Sequence, residues 1–250
     1  NGPAEVTVEF SEVTSNGVTM YVEEPVFRND KHAPEDVSLV TFEEGVWSLA
    51  DGSLLQVGKT LFEGGANNVF HSVEFSTEFE EVPILLLQTQ TNNGSAWEIL
   101  RAQNVTTTGF EYAIQEEEAK NPSGHGSEII GWAALDASAA DGVFDWGGIA
   151  AQAFKTGETV TDAPTRFSFD SDIGSDPLVS AILASFNDSD PANLRYAATG
   201  YDEGTSSAWM DFVADEDQSS DKETDHGAEE VTGLAFETAG LLTADEFVMA

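Results

Sequence analysis

The sequence has no cysteine and only nine lysines and arginines in 250 residues. Without thiols it can form no disulfide framework, thiolate zinc site or cysteine nucleophile. So few cations exclude nucleic acid as a partner, because binding it takes clustered Lys and Arg to displace counterions from phosphate. No apolar run approaches eighteen residues, so the chain as given carries no membrane-spanning segment. It also lacks a charged start followed by an apolar segment, and an initiator Met, so Asn1 reads as a processed end or the edge of a fragment. His-Glu-x-x-His and Gly-x-Ser-x-Gly are missing as well. A glycosidase needs two facing acids at a defined separation, but with forty-six acids in the chain candidate pairs carry no information. The expectation is a protein that is not an enzyme.

What is abundant is negative charge. Forty-six Asp and Glu leave a net charge of −37, yet 40% hydrophobic content, sixteen Phe and five Trp suffice for packed cores. A folded protein with such a surface repels itself in dilute buffer and is screened in strong salt, where the Debye length falls to about 3 Å at 1 M. The composition is that of a salt-loving organism.

Every second position is matched in Ile99-Arg101, and apolar residues recur at every second position in Phe110-Tyr112-Ile114, the period of a half-buried strand. From Pro83 to Leu135 the reading is an antiparallel meander with strands at roughly 98–104, 109–117 and 127–136, turned by Asn93-Gly94 and Thr108-Gly109. LVSAILASF is read as strand as well, which leaves no helix.

Three marks repeat along the chain. His-x-x-Glu precedes an apolar strand at His32-Glu35, His125-Glu128 and His226-Glu229. An acidic cluster lies upstream of each, at Glu23-Glu24, Glu116-Glu117-Glu118 and Asp215-Glu216-Asp217. A short Ala-Asp joint follows at Ala50-Asp51, Ala140-Asp141 and Ala244-Asp245. The fold class is therefore all-β, built of tandem antiparallel β-sandwich repeats. Residues 1–52 are the trailing part of a first repeat, 53–142 a second, and 143–250 a third, divergent repeat with a C-terminal tail. Asn1-Gly2 aligns with Asn93-Gly94, so the first copy is incomplete and lacks counterparts of residues 61–91. An incomplete sandwich exposes unpaired strand edges, and the tail Leu241–Ala250 is a candidate donor strand for a neighbouring molecule.

PILLLQTQTNNG, RAQNVTTTGFEYAIQEEEA and HGSEIIGWAAL resemble the H-type lectin-like repeat of secreted and surface proteins of bacteria and archaea. The resemblance implies a six-stranded antiparallel sandwich, often trimeric, which in true lectins binds an amino sugar. No sugar-contacting residue can be carried over position by position.

Each His-x-x-Glu has two readings: a structural pin, in which the imidazole bonds a carboxylate or carbonyl at a strand end, or a cation site beside the acidic cluster. Trp97, beside an Asn-Gly corner, and Trp146, among glycines, are the rings expected to be exposed for stacking on a sugar; Trp132 and Trp209 fall in alternating runs and are expected in the core. Asp170-Ser-Asp172-Ile-Gly174-Ser-Asp176 and Asn187-Asp-Ser-Asp190 leave room for a loosely held calcium and suggest no other cofactor. Asn93, Asn104 and Asn187 stand in glycosylation sequons, which matter only if the protein is exported. The functional expectation is an extracellular structural or adhesion protein, on a cell surface or virion of a halophilic archaeon or bacterium. Its repeats would form a filament or fibre, with self-association or strand exchange between copies. A carbohydrate-binding module and an accessory region of a large secreted hydrolase are the alternatives.

Overall fold

A computed structural model describes residues 6–25, 32–49, 52–94, 96–120, 124–136, 142–241 and 248–249. These residues form seventeen strands and no α-helix. The chain opens with an antiparallel hairpin of β1 (Thr7–Thr14) and β2 (Gly17–Glu23). A first sandwich follows, from β3 (Gly45–Ser48), β4 (Leu54–Phe62), β5 (His71–Glu74), β6 (Ile84–Thr89), β7 (Glu98–Gln103), β8 (Gly109–Glu116) and β9 (Glu128–Leu135). Its sheets have the orders β3-β4-β9-β6 and β5-β8-β7. A second sandwich comprises β10 (Val143–Trp146), β11 (Ile149–Val160), β12 (Thr165–Ser168), β13 (Leu178–Leu183), β14 (Ala192–Asp202), β15 (Ser207–Glu216) and β16 (Glu229–Phe236). Its sheets, β10-β11-β16-β13 and β12-β15-β14, repeat the first order strand for strand. Finally β17 (Val248–Met249), from the segment offered above as a donor, pairs antiparallel with the free edge of β3 in its own chain.

Alternation of side chains about each strand explains the layering. In Ile84–Leu87, Leu85 and Leu87 face β5-β8-β7 and join Phe62, Phe110, Tyr112 and Ile130 in one core. Ile84 and Leu86 face the other way and join Leu55, Ala133 and Leu135 against Ala151, Ala153 and Leu234 of the second sandwich. A third core lies between the sheets of that sandwich, around Phe154, Phe169, Phe212 and Val231. The order of layers is thus three-stranded sheet, inner sheet, inner sheet, three-stranded sheet. The inner sheets are covered on both faces, which is why PILLL and LVSAIL are nearly continuous apolar runs rather than alternating ones.

The expected meander is corrected: β8 pairs β5 and β7, whereas β9 lies in the other sheet between β4 and β6, so the strands expected at 109–117 and 127–136 are not neighbours in one sheet. Thr108-Gly109 does turn β7 back on β8, with the Thr106 N–H donating to Gly109 O at 2.8 Å. Asn93-Gly94, in contrast, is a crossover and not a hairpin. The strands it joins lie in different sheets, β6 pairing β9 and β7 pairing β8. Trp209 is not in the core, since Ala208, Met210, Phe212 and Ala214 take the inward positions of β15. Its ring lies on the outer face under the Arg166 guanidinium, 3.5 Å away. Trp132 does pack on the first core, across from Gly58, where a Cβ would approach the indole to 2.5 Å.

Ahead of Gly45 the described residues form only the β1–β2 hairpin. β1 and β2 correspond to β7 and β8, but 36–43, which follow His32-Glu35 as β9 follows His125-Glu128, form no strand. In the complete sandwich β9 is hydrogen-bonded between β4 and β6, and among the described residues before Glu35 the only strands are β1 and β2. Val37 and Leu39 are accordingly 40% and 46% exposed, while Val40 and Phe42 turn inward and Phe42 stacks on Trp146. The three Ala-Asp joints at 50–51, 140–141 and 244–245 lie outside the described residues.

The layer between the inner sheets should make the two sandwiches unfold together. Leu234→Ala, in that layer, is expected to cost about 2–5 kcal/mol. Denaturant melts in concentrated salt would register it as a lower midpoint of one common transition; two separate transitions would show that the layer does not couple the sandwiches.

Candidate functional site

The repeated marks converge at one corner of each sandwich. Where the chain crosses from β6 to β7, Thr91, Asn93 and Gly94 wrap around Glu128, the first residue of β9. Glu128 Oε1 accepts the N–H groups of Asn93 at 2.6 Å and Gly94 at 2.9 Å, and its other oxygen accepts the Thr91 hydroxyl. The Asn93 amide donates to Ser127 O at 2.8 Å. The second sandwich repeats the device. Glu229 accepts the Asn187 N–H at 3.0 Å and the Ser185 hydroxyl, and the Asn187 amide donates to Ala228 O at 2.7 Å. Buried carboxylates thus satisfy the backbone donors of a crossover that joins no ladder.

The histidines stand against these carboxylates. His125 Nε2 lies 2.5 Å from Glu98 Oε2 and 3.2 Å from Glu128 Oε1, and its Nδ1 is 3.2 Å from Glu116 Oε1. Its ring occupies the space over Gly94, where a Cβ would come within 2.1 Å of Cε1. His226 Nε2 and Nδ1 lie 3.3 Å from Glu229 Oε1 and Glu216 Oε2. All seven of these side chains are buried. In the first copy His32 Nδ1 is 3.5 Å from Glu35 Oε1 and 2.9 Å from Ala33 O. Glu116 and Glu216, from the second and third acidic clusters of the sequence, are therefore the far walls of the two buried histidine pockets.

Each complete corner also receives a side chain from the repeat before it. Arg101, on β7 of the first sandwich, reaches the corner of the second. Its Nη2 lies 2.5 Å from Glu229 Oε1 and donates to Ser185 O at 3.3 Å, its Nη1 donates to Gln115 Oε1 at 3.1 Å, and the guanidinium lies 5.0 Å over Phe186. Glu9, on β1, reaches toward the corner of the first sandwich, where it is buried with the Thr7 hydroxyl donating to it at 2.7 Å.

These charges shift one another's titration. Burial, followed by Glu98, pushes the Glu9 carboxyl up to about 8. Burial alone would lower His125, but Glu98, then Glu128 and Glu116, outweigh it and raise the imidazole to about 9. Burial would raise Glu229, but His226, Arg101, Ser185 and the Asn187 N–H bring it down to about 2.

Other sequence candidates fall elsewhere. Trp97 and Trp146 are only 1% and 3% exposed, so neither offers a free ring face to a sugar. The glycines beside Trp146 fold β10 tightly onto β11, with Trp146 paired to Ile149, and the ring enters the layer between the inner sheets among Phe42, Phe144 and Phe236. Asn104 is exposed in the β7–β8 turn at φ +49°, its amide donating to Glu111 Oε2 at 2.8 Å. Asp170 accepts the Asp172 N–H at 3.0 Å, and Asp188 accepts those of Gly227 at 2.9 Å and Asp190 at 3.3 Å, so an aspartate in each candidate calcium loop is engaged by backbone N–H groups. Thr91, Ser185, Glu98, Arg101 and Glu9 were not singled out from the sequence. A hydroxyl two residues before Asn93 and before Asn187 is the signal that would have found the first two.

Stability should report these pockets with a definite sign. Glu229, depressed in the fold, contributes fully above its unfolded value near 4.5, and that contribution is lost as the pH falls through about 2. His125 is raised, so its contribution is full below about 6.5 and lost as the pH rises through about 9, while the raised Glu9 lowers stability progressively between about 4.5 and 8. With chelator present and salt held constant, the melting temperature should peak between about pH 4.5 and 6.5, each group changing stability by at most about 1.4 kcal/mol per pH unit within its window. Thermal melts from pH 2 to 10 would check this, and a maximum above pH 8 would contradict it. Arg101→Met should cost about 3–5 kcal/mol in the same assay, because it leaves part of the Glu229 charge buried without its cation.

No family model matches the chain, and no solved structure matches it. No helix among the described residues is long and apolar enough to cross a membrane, which says nothing of a β-barrel. Across 142 residues, 55% of its length, the chain is 26% identical to halomucin of Haloquadratum walsbyi, and it spans about 2% of that protein's length.

Proposed function

We propose that this chain is a non-enzymatic, extracellular structural segment of a halophile's surface, in which tandem β-sandwiches form a stiff string that serves attachment or assembly. The observation that carries the reading is the way the repeats are joined. Arg101 of one sandwich is buried in the corner of the next, and an apolar layer fuses their inner sheets. Units joined in this way resist bending at the joint, as a projecting stalk requires. The net charge of −37 supports a setting in concentrated salt, and the similarity to halomucin, a mucin by name, supports a surface setting. An H-type lectin-like origin of the sandwich belongs to the same proposal, as does self-association of the string. Sugar binding has less support, because the two rings offered for it are buried.

Two measurements test the reading. Antibodies raised against the folded chain should label intact cells of the source organism kept in their native salt; labelling only after lysis would overturn the extracellular assignment. Stability should also climb with salt, because screening shortens the reach of repulsion across the acidic surface from about 10 Å at 0.1 M to about 3 Å at 1 M. Between 0.1 and 2 M KCl the melting temperature should rise by roughly 10 °C, which corresponds to a few kcal/mol at about 2–4 °C per kcal/mol. A flat profile would remove salt adaptation from the proposal.

A further inference from the structure

The two complete corners share a scaffold but differ in charge, and the differences fall at matching positions. Counting from the turn glycines, Tyr21 follows Gly17 by as many residues as Ala113 follows Gly109. Their ladder partners are Glu9 and Arg101. Glu9 therefore occupies, on the hairpin before the first sandwich, the position from which Arg101 enters the second. A further exchange lies beside it. Glu98 pairs with Glu116, and the residue paired with the equivalent Glu216 is Ala192. The second corner thus sets Glu216 and Glu229 against His226 and an arginine. The first sets Glu9, Glu98, Glu116 and Glu128 against His125.

The added carboxylate on the first sandwich is only partly engaged by the fold, through its Oε2 at 2.5 Å from His125 Nε2. Glu98 is 5% exposed, and its Oε1 has no hydrogen-bond partner among the described residues. Ligand atoms of Glu98, His125 and Glu128 all lie within 4.8 Å of one another. The 3.2 Å between His125 Nε2 and Glu128 Oε1 matches the edge of a tetrahedron whose centre is about 2.0 Å from each ligand. An imidazole among carboxylates suits zinc or manganese rather than calcium or magnesium, whose sites are built of oxygen alone.

We propose that the corner of the first sandwich is a site for a divalent transition metal, zinc or manganese. His125, Glu98 and Glu128 form its ligand set, and Glu9 is contributed by the preceding repeat. The ion takes the place that the Arg101 guanidinium fills at the next junction. With its three ligands on the first sandwich, it ties the preceding hairpin on through its charge attraction for Glu9, and the inference stands apart from where the protein is displayed.

The test uses the whole chain, stripped with chelator, desalted into 2 M KCl near pH 7.5 and titrated separately with Zn²⁺, Mn²⁺ and Ca²⁺ by calorimetry. Melting temperatures are recorded in parallel. One equivalent of Zn²⁺ or Mn²⁺ should bind saturably and raise the melting temperature, with Ca²⁺ at least about tenfold weaker. Glu98→Gln should weaken that binding by at least about tenfold. The double variant Glu9→Arg/Glu98→Ala gives this corner the composition of the other, and should fold without metal and bind none. If it fails to fold, Glu9→Gln, which keeps the shape of the side chain, should still fold and bind more weakly than the unaltered chain. Absence of stoichiometric Zn²⁺ or Mn²⁺ binding would overturn the proposal. So would Ca²⁺ binding as tightly as either, or affinity unchanged in the variants that fold, which would place the ion elsewhere, such as among Asp190, Glu216 and Glu223.

Discussion

The structure depends on a carboxylate buried at the start of an inner strand. Glu128 and Glu229 each hold a crossover segment whose backbone would otherwise be orphaned between two sheets. A buried ion is costly to desolvate unless hydrogen bonds and an opposing charge surround it. The histidine three residues earlier, the hydroxyl of Thr91 or Ser185, and the backbone donors of the crossover provide those partners. The His-x-x-Glu spacing follows from this geometry. The imidazole must sit between the strand-initial carboxylate and the acidic end of β8 or β15, in space that at the first corner is kept open by Gly94.

The arrangement also separates two kinds of negative charge. Most of the forty-six acids are solvated and respond to salt, whereas the corner acids are enclosed and respond to protons and to whatever cation is placed beside them. Ionic strength therefore acts on the surface as a whole, while the corners set the geometry between repeats largely independently of it.

Much of the fold was legible because its elements are local. The expected strands at 98–104, 109–117 and 127–136 fall within a residue of β7, β8 and β9, since a period of two is imposed by the pleat itself. Repetition was legible for the same reason, as each copy must rebuild the same corner. The connectivity was not. An Asn-Gly pair signals that the chain bends, but whether the next strand joins the same sheet or the facing one depends on contacts far away in sequence. The exposure of the tryptophans was misjudged on similar grounds. Position among glycines suggested a free ring at Trp146, yet parity along β10 and the Phe42 segment enclose it. Arg101 left a fainter trace, as a cation inside the apolar run Ile99–Ala102 of a chain with few cations, and its partner lies 128 residues away.

The charges exchanged between the corners bear on the order of the repeats. Sandwiches of one strand order, sharing one corner, could in principle dock in any sequence. Arg101 fits where Glu229 waits, and Glu9 meets a corner already holding Glu98 and Glu128. Were the hairpin bearing Glu9 to dock on the second sandwich, a buried carboxyl would face Glu229 with no guanidinium present, and like charges enclosed together cost several kcal/mol. Specificity between near-identical surfaces arises when the wrong pairing is penalised as well as the right one favoured. The residue at this single ladder position therefore does for the string of repeats what complementary charges do at an interface between different proteins: it favours docking onto the sandwich that follows in the chain over docking onto the other.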